Sequence, residues 1–180
     1  RAVLDRTYFS GNVQTETGGS AIEINGAAAD VTVRNSVFER NLGGYQGGTI
    51  VKYGTGALTL ESSTIVRNRL TRNGAQPGGA VWWNGGSVVL KNNVIAANQS
   101  DAGGSDDVVG TGLTDSANNL VGSGNAGTPW GSLDQVGSAE RPLTPSFGSA
   151  IQVTGLVPYL PPPWEASLVD QGGAVSSAVD

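Results

Sequence analysis

GGAVWWNGGSVVLKNNVIAAN, residues Gly78–Asn98, decides the fold. A glycine pair opens it, a short apolar run follows, and a Gly-Gly turn leads into alternating Val and Leu before a closing asparagine. Gly47–Asn68 (GGTIVKYGTGALTLESSTIVRN) and Gly18–Asn41 (GGSAIEINGAAADVTVRNSVFERN) repeat the pattern, and Val3–Asn12 (VLDRTYFSGN) holds part of it. The closing residues Asn12, Asn41, Asn68 and Asn98 stand 29, 27 and 30 residues apart. A repeat of that length marks a solenoid, in which each unit buries its apolar face against its neighbours.

Aligned on the closing asparagine, the repeats form columns. Leu4, Val33, Leu60 and Leu90 make one apolar column, and Phe9, Phe38, Ile65 and Ile95 another. Asp5, Arg34, Glu61 and Lys91 alternate in sign through four successive repeats. If each repeat is one coil of a parallel β-helix, equivalent residues lie about 4.8 Å apart in adjacent strands. Opposite charges at that spacing favour this register, since a slip by one coil sets like beside like. Each exposed pair adds little stability.

Each coil should carry three short strands, placed in the third repeat at Ala80–Trp83, Val88–Lys91 and Val94–Ala97. Polar bends recur at Asn35-Ser36, Ser62-Ser63 and Asn92-Asn93. Stacked asparagines can hydrogen-bond along the solenoid axis, as in cross-β side-chain ladders. The closing asparagines either do this or take the left-handed conformation that Asn tolerates at a turn. A looser fifth coil is expected in Ser100–Gly124. The repeat then stops, and Asn125–Asp180 is rich in Pro, Gly and Ser. Three consecutive prolines, Pro161–Pro163, exclude a central strand there. The expected organisation is all-β: a right-handed parallel β-helix of about five coils over residues 1–124, and a C-terminal cap or arm over 125–180.

At 180 residues the chain fits one domain, and with aromatics at only 6% its core must be lean and built from small β-branched residues. The net charge of −5 argues against a nucleic-acid partner. Cysteine and histidine are both absent, which removes disulfides, thiol chemistry, the usual general base and the usual transition-metal ligand. No apolar run approaches the roughly 18 residues of a membrane span. The chain opens inside a repeat and without Met, so it is expected to be a processed or trimmed piece of a longer product.

GG-[small]-[aliphatic], seen as Gly47–Ile50 and Gly78–Val81, pairs here with F-x-x-N, seen as Phe9–Asn12 and Phe38–Asn41. This combination resembles the repeats of polymorphic outer membrane proteins and related bacterial right-handed β-helix surface proteins. Gly103–Gly122 followed by the Pro-rich tail looks like the end of secreted choice-of-anchor-type repeat proteins. The resemblance implies an extracellular or cell-surface bacterial protein that is adhesive or structural.

Candidate sites are few. Asp101, Asp106, Asp107 and Asp115 lie in a Gly-rich stretch, and such hard oxygen ligands suit Ca²⁺. No cofactor is otherwise indicated. A polysaccharide lyase would need a basic residue beside that calcium, and Gln99–Asn119 contains none. Trp82-Trp83 and Tyr53 form the densest aromatic spot. Aligning Glu23 and Lys52 with Trp83 points Trp83 outward, where with Tyr53 it could contact a glycan or a protein partner. Arg40, Arg67, Arg69 and Arg72 gather near the closing turns, with Glu39 available to offset Arg40 and Arg67. The expected function is a structural or adhesive surface protein, not an enzyme, either self-stacking end to end into a filament or continuing a flanking solenoid. The alternatives are a carbohydrate-binding module and a lyase-like enzyme.

Overall fold

The computed structural model describes residues 1–43, 48–70, 80–101, 107–124 and 128–145, with the backbone of 152–154 and 157–159. Every regular element among them is a β-strand. Three long faces run along the stack. The charge face is a five-stranded parallel sheet of Ala2–Asp5, Val31–Arg34, Ala57–Glu61, Ser87–Lys91 and Leu113–Ala117. The phenylalanine face has six strands: Tyr8–Ser10, Val37–Glu39, Thr64–Val66, Val94–Ala96, Leu120–Val121 and Gln135–Val136. The aromatic face has four: Ile22–Ile24, Ile50–Tyr53, Val81–Asn84 and Val108–Gly110. The chain is thus a parallel β-solenoid.

Two expectations are refined. A fourth set of two-residue strands, Leu42–Gly43, Arg69–Leu70 and Gln99–Ser100, follows the closing asparagines. The chain runs on extended there because Leu42, Arg69 and Gln99 donate their N–H groups to the carbonyls of Asn12, Asn41 and Asn68. The segment after residue 124 also adds to the stack: Gln135–Val136 pairs in parallel with Leu120–Val121. Trp130 and Val136 pack on the core, and the Leu143 N–H donates to the Gly122 carbonyl at 2.8 Å. Residues 128–143 therefore cover the last coil. Beyond them, Gln152–Thr154 pairs antiparallel with Val157–Tyr159. The triple proline and the rest of the tail lie outside the described residues.

The core is a set of vertical apolar columns. Leu4, Val33, Leu60 and Leu90 stand in register, as do Phe9, Phe38, Ile65 and Ile95. The Phe9 and Phe38 rings stack at 4.7 Å with 6° between planes. Like side chains at like positions let each layer repeat the packing of the one before. Burying each such Leu, Ile or Phe contributes about 1.5–3 kcal/mol.

The corners demand left-handed backbone. Arg6, Asn35, Ser62, Asn92 and Asn118 form one column at φ 46 to 55°, and Gly11, Arg40, Arg67 and Ala97 a second at 55 to 67°. The second column lies one residue before the closing asparagine. The sharp turn thus falls on the preceding residue, and the asparagine is left with ordinary backbone and a side chain free to build a ladder.

Candidate functional site: two side-chain ladders and the faces around them

The first ladder is the closing-asparagine column. Asn12 donates both its backbone N–H and its Nδ2 to Asn41 Oδ1, at 3.1 and 2.7 Å. Asn41 does the same to Asn68 Oδ1 at 3.0 and 2.8 Å, and Asn68 to Asn98 Oδ1 at 2.9 and 2.9 Å. Nδ2 also donates back to the coil before, from Asn41 to the Phe9 carbonyl, from Asn68 to Phe38 and from Asn98 to Ile65. Asparagine suits this position because it both accepts and donates. It satisfies the backbone groups that each corner would otherwise bury unpaired.

The second ladder runs through the other bend. Thr7 N–H donates to Ser36 Oγ at 3.1 Å, Ser36 N–H to Ser63 Oγ at 3.2 Å, and Ser63 N–H to Asn93 Oδ1 at 3.0 Å. Asn93 then donates twice to Asn119 Oδ1, at 2.9 and 3.0 Å.

Both ladders finish on a carboxylate. Asn98 donates its N–H and Nδ2 to Asp107 Oδ1 at 3.0 and 2.7 Å, while Oδ2 accepts the Ser123 N–H at 2.9 Å. Asn119 donates its pair to Asp134 Oδ1 at 2.8 and 2.9 Å. Asp134 Oδ2 accepts the Gly131 N–H at 2.8 Å and the Ser116 hydroxyl. Asp134 escapes a sequence reading because it stands outside the repeat, and nothing local marks it.

On the charge face, Asp5, Arg34, Glu61 and Lys91 are direct neighbours in successive strands. Arg34 Nη2 meets Asp5 Oδ2 at 3.2 Å. The Asp5 carboxyl is held below its usual range, first by the hydrogen bond from Asn35 and then by Arg34 and Arg6. Lys91 Nζ reaches Asp115 Oδ2 at 2.8 Å. A register shift between Val88 and Val89 sets Asp115 beside Val89. That contact lowers the Asp115 carboxyl and raises the Lys91 ammonium.

Of the four acidic residues considered for Ca²⁺, the three described ones each serve a different partner. Asp101 forms a two-point pair with Arg69, at 2.8 and 2.9 Å. Asp107 caps the first ladder and Asp115 pairs with Lys91, while Asp106 lies outside the described residues. Among the described residues no group of three or more candidate ligands could hold a metal. Arg72 is likewise outside them. Glu39, only 1% exposed, takes Arg67 at 2.9 Å and Arg40 at 3.8 Å on the same oxygen, so these two like charges share one carboxylate.

The aromatic spot is corrected by register. Ile24, Lys52, Trp83 and Gly110 form one column, and Glu23, Val51, Trp82 and Val109 the next. Trp83 is 2% exposed, its Nε1 donates to the Thr111 carbonyl at 2.8 Å, and Gly110 leaves room for its ring. It is therefore not a surface contact. A lysine ordinarily marks an outward column, but Lys52 lies in an inward one, and Glu23 stands one column over, opposite Val51. The Lys52 side chain is fully buried, and its ammonium donates to the Gly54 and Gly85 carbonyls at 2.8 and 2.9 Å. Desolvation pushes that ammonium below its usual pKa, with Asp30 pulling it back up. Alternation from the apolar column of Ile50 and Val81 would have placed Trp83 inside. Trp82 is the half-buried indole, tilted 60° against Tyr53 at 5.2 Å. Burial, followed by the Glu23 charge, raises the Tyr53 hydroxyl pKa.

The chain matches no protein-family model, no curated protein and no solved structure.

Proposed function

We propose that this chain is a structural element of an extracellular, surface-attached bacterial protein, a stiff solenoid segment that spaces or adheres and does no catalysis. The observation that carries the reading is the pair of continuous ladders. The side chains most able to do chemistry are the ones that join coil to coil. The Asp107 carboxylate, for example, already accepts three N–H groups. A group held in that way positions backbone instead of moving protons. The surface placement rests on the likeness of the Gly47–Ile50, Gly78–Val81, Phe9–Asn12 and Phe38–Asn41 stretches to bacterial surface repeats. Labelling intact cells of the natural source with a membrane-impermeant reagent tests it. The protein should be tagged without lysis, and tagging only after lysis overturns the surface placement.

A second reading has its own observation, the tilted Trp82–Tyr53 pair with exposed Asn84 at the end of the same strand. An indole and a phenol at that spacing offer a sugar ring an apolar wall with hydrogen-bonding groups nearby. Glycan-array binding that vanishes in Trp82→Ala supports a carbohydrate-binding role. Equal binding by the variant removes this pair.

A further inference from the structure

The ladders are polar, and their two ends are unlike. Along both, each coil donates to a side-chain oxygen of the coil that follows it. At the far end the last acceptors are the carboxylates of Asp107 and Asp134, which have no proton to pass on. At the near end stands Asn12, exposed, with no described residue donating to its Oδ1. Thr7 is preset in the same way. Its hydroxyl donates to the Asp5 carbonyl at 3.3 Å, as Ser36 does to Arg34 and Ser63 to Glu61 at 2.7 and 2.9 Å. In Ser36 and Ser63 that arrangement leaves the oxygen to accept an N–H from the preceding coil.

Among the described residues, three of the four large apolar side chains left exposed lie at the same end, the fourth being Leu133 of the covering segment, 67% exposed. Val3, Tyr8 and Val13 are 51%, 42% and 64% exposed, and all lie in the first coil. Val37, one coil in from Tyr8, is 2% exposed. Asp5 also stands at the open edge of an alternating charge column, so the position beyond it favours a cation.

We propose that this first-coil face is a docking face for one further parallel coil, in line with Arg1, that carries asparagine at its closing corner and Lys or Arg over Asp5. The proposal rests on the structural reading above and names its partner. The capped end of a second copy is a poor occupant. It would set the Asp107 carboxylate toward the Asn12 acceptor, the Asp134 carboxylate toward the Thr7 hydroxyl oxygen, and acidic Asp115 toward the edge that holds Asp5. Head-to-tail filaments of this chain are therefore disfavoured.

The test fuses a copy of residues 1–29, carrying Asp5→Lys, ahead of Arg1 of the full chain. The copy's Asn12 then stands 29 residues before the native Asn12, the spacing of Asn12 and Asn41. The added coil should fold, and the native amides of Val3, Asp5, Tyr8 and Ser10 should exchange at least about 10-fold more slowly. Replacing the copy's asparagine, Asn12→Leu, should reverse that protection while the body of the chain keeps its own. An added coil exchanging like unfolded chain beside a protected body overturns the proposal. So does sedimentation of the unfused chain that shows head-to-tail polymers growing with concentration. Neither result touches the cell-labelling test, so a failure here is distinguishable from a failure of the surface reading.

Discussion

The first coil and the last one are built from the same strands and treated in opposite ways. At the Asp134 end, Trp130 and Val136 cover the core, Gln135–Val136 adds a strand, and two carboxylates terminate the ladders. At the Asn12 end the strands are fully formed, yet Val3, Tyr8 and Val13 are exposed and no described residue donates to the Asn12 amide oxygen. An unpaired strand edge normally invites pairing, and proteins that do not want a partner blunt it. Here one end is blunted and the other is not. The teaching is that a repeat is not symmetric along its axis, because side-chain amides give it a direction that the backbone ladder alone lacks.

The sharpest way to break this comparison is to make one substitution inside the asparagine column and again at its open end. Asn68→Leu strips the acceptor from Asn41 and the donors from the Phe38 and Val66 carbonyls, all buried. It should cost about 3–5 kcal/mol by urea unfolding. Asn12→Leu should cost under about 1 kcal/mol, since Asn12 is exposed. Equal costs would show that the ladder has no open end.

The closed end is tested next. Asp107→Asn and Asp134→Asn keep shape but turn one acceptor oxygen into a donor that faces an N–H, at Ser123 or Asn98 in one case and at Gly131 or Asn119 in the other. Each should lose about 1–3 kcal/mol in the same unfolding measurement. A neutral result would mean that the carboxylates do not terminate the ladders.

The smallest effect is a pH dependence at the open end. Asp5 is held below its ordinary carboxylate pKa in the fold, first by Asn35. Its contribution is therefore complete above the unfolded value of about 4 and is lost as pH falls through the lowered folded value. Amide exchange of the first coil should quicken in that acid window, and Asp5→Asn should flatten the change. An identical acid profile in the variant removes Asp5 from the account.

Much of the solenoid was legible because a repeat multiplies weak signals. One Leu at one position says little, but Leu4, Val33, Leu60 and Leu90 at one phase demand a common environment. The charge column could be read for the same reason. The site was less legible where burial broke the usual link between residue type and side. Lys52 and Glu39 are both charged and both inside, Lys52 satisfied by turn carbonyls and Glu39 by its neighbour Arg40 and by Arg67, which the coil stacking brings near. Trp83 shares the inward column of Lys52, while Glu23 belongs to the column of Trp82.

Periodicity by itself determined the coil length, the apolar columns, the alternating charges and the asparagine corner, because each is a local pattern repeated at a fixed interval. Only the tertiary structure decided the direction of the ladders, the closing role of Asp134 and which end of the stack stays open. Those depend on which oxygen meets which N–H between residues 9 to 30 positions apart in the chain, and no local pattern carries that geometry.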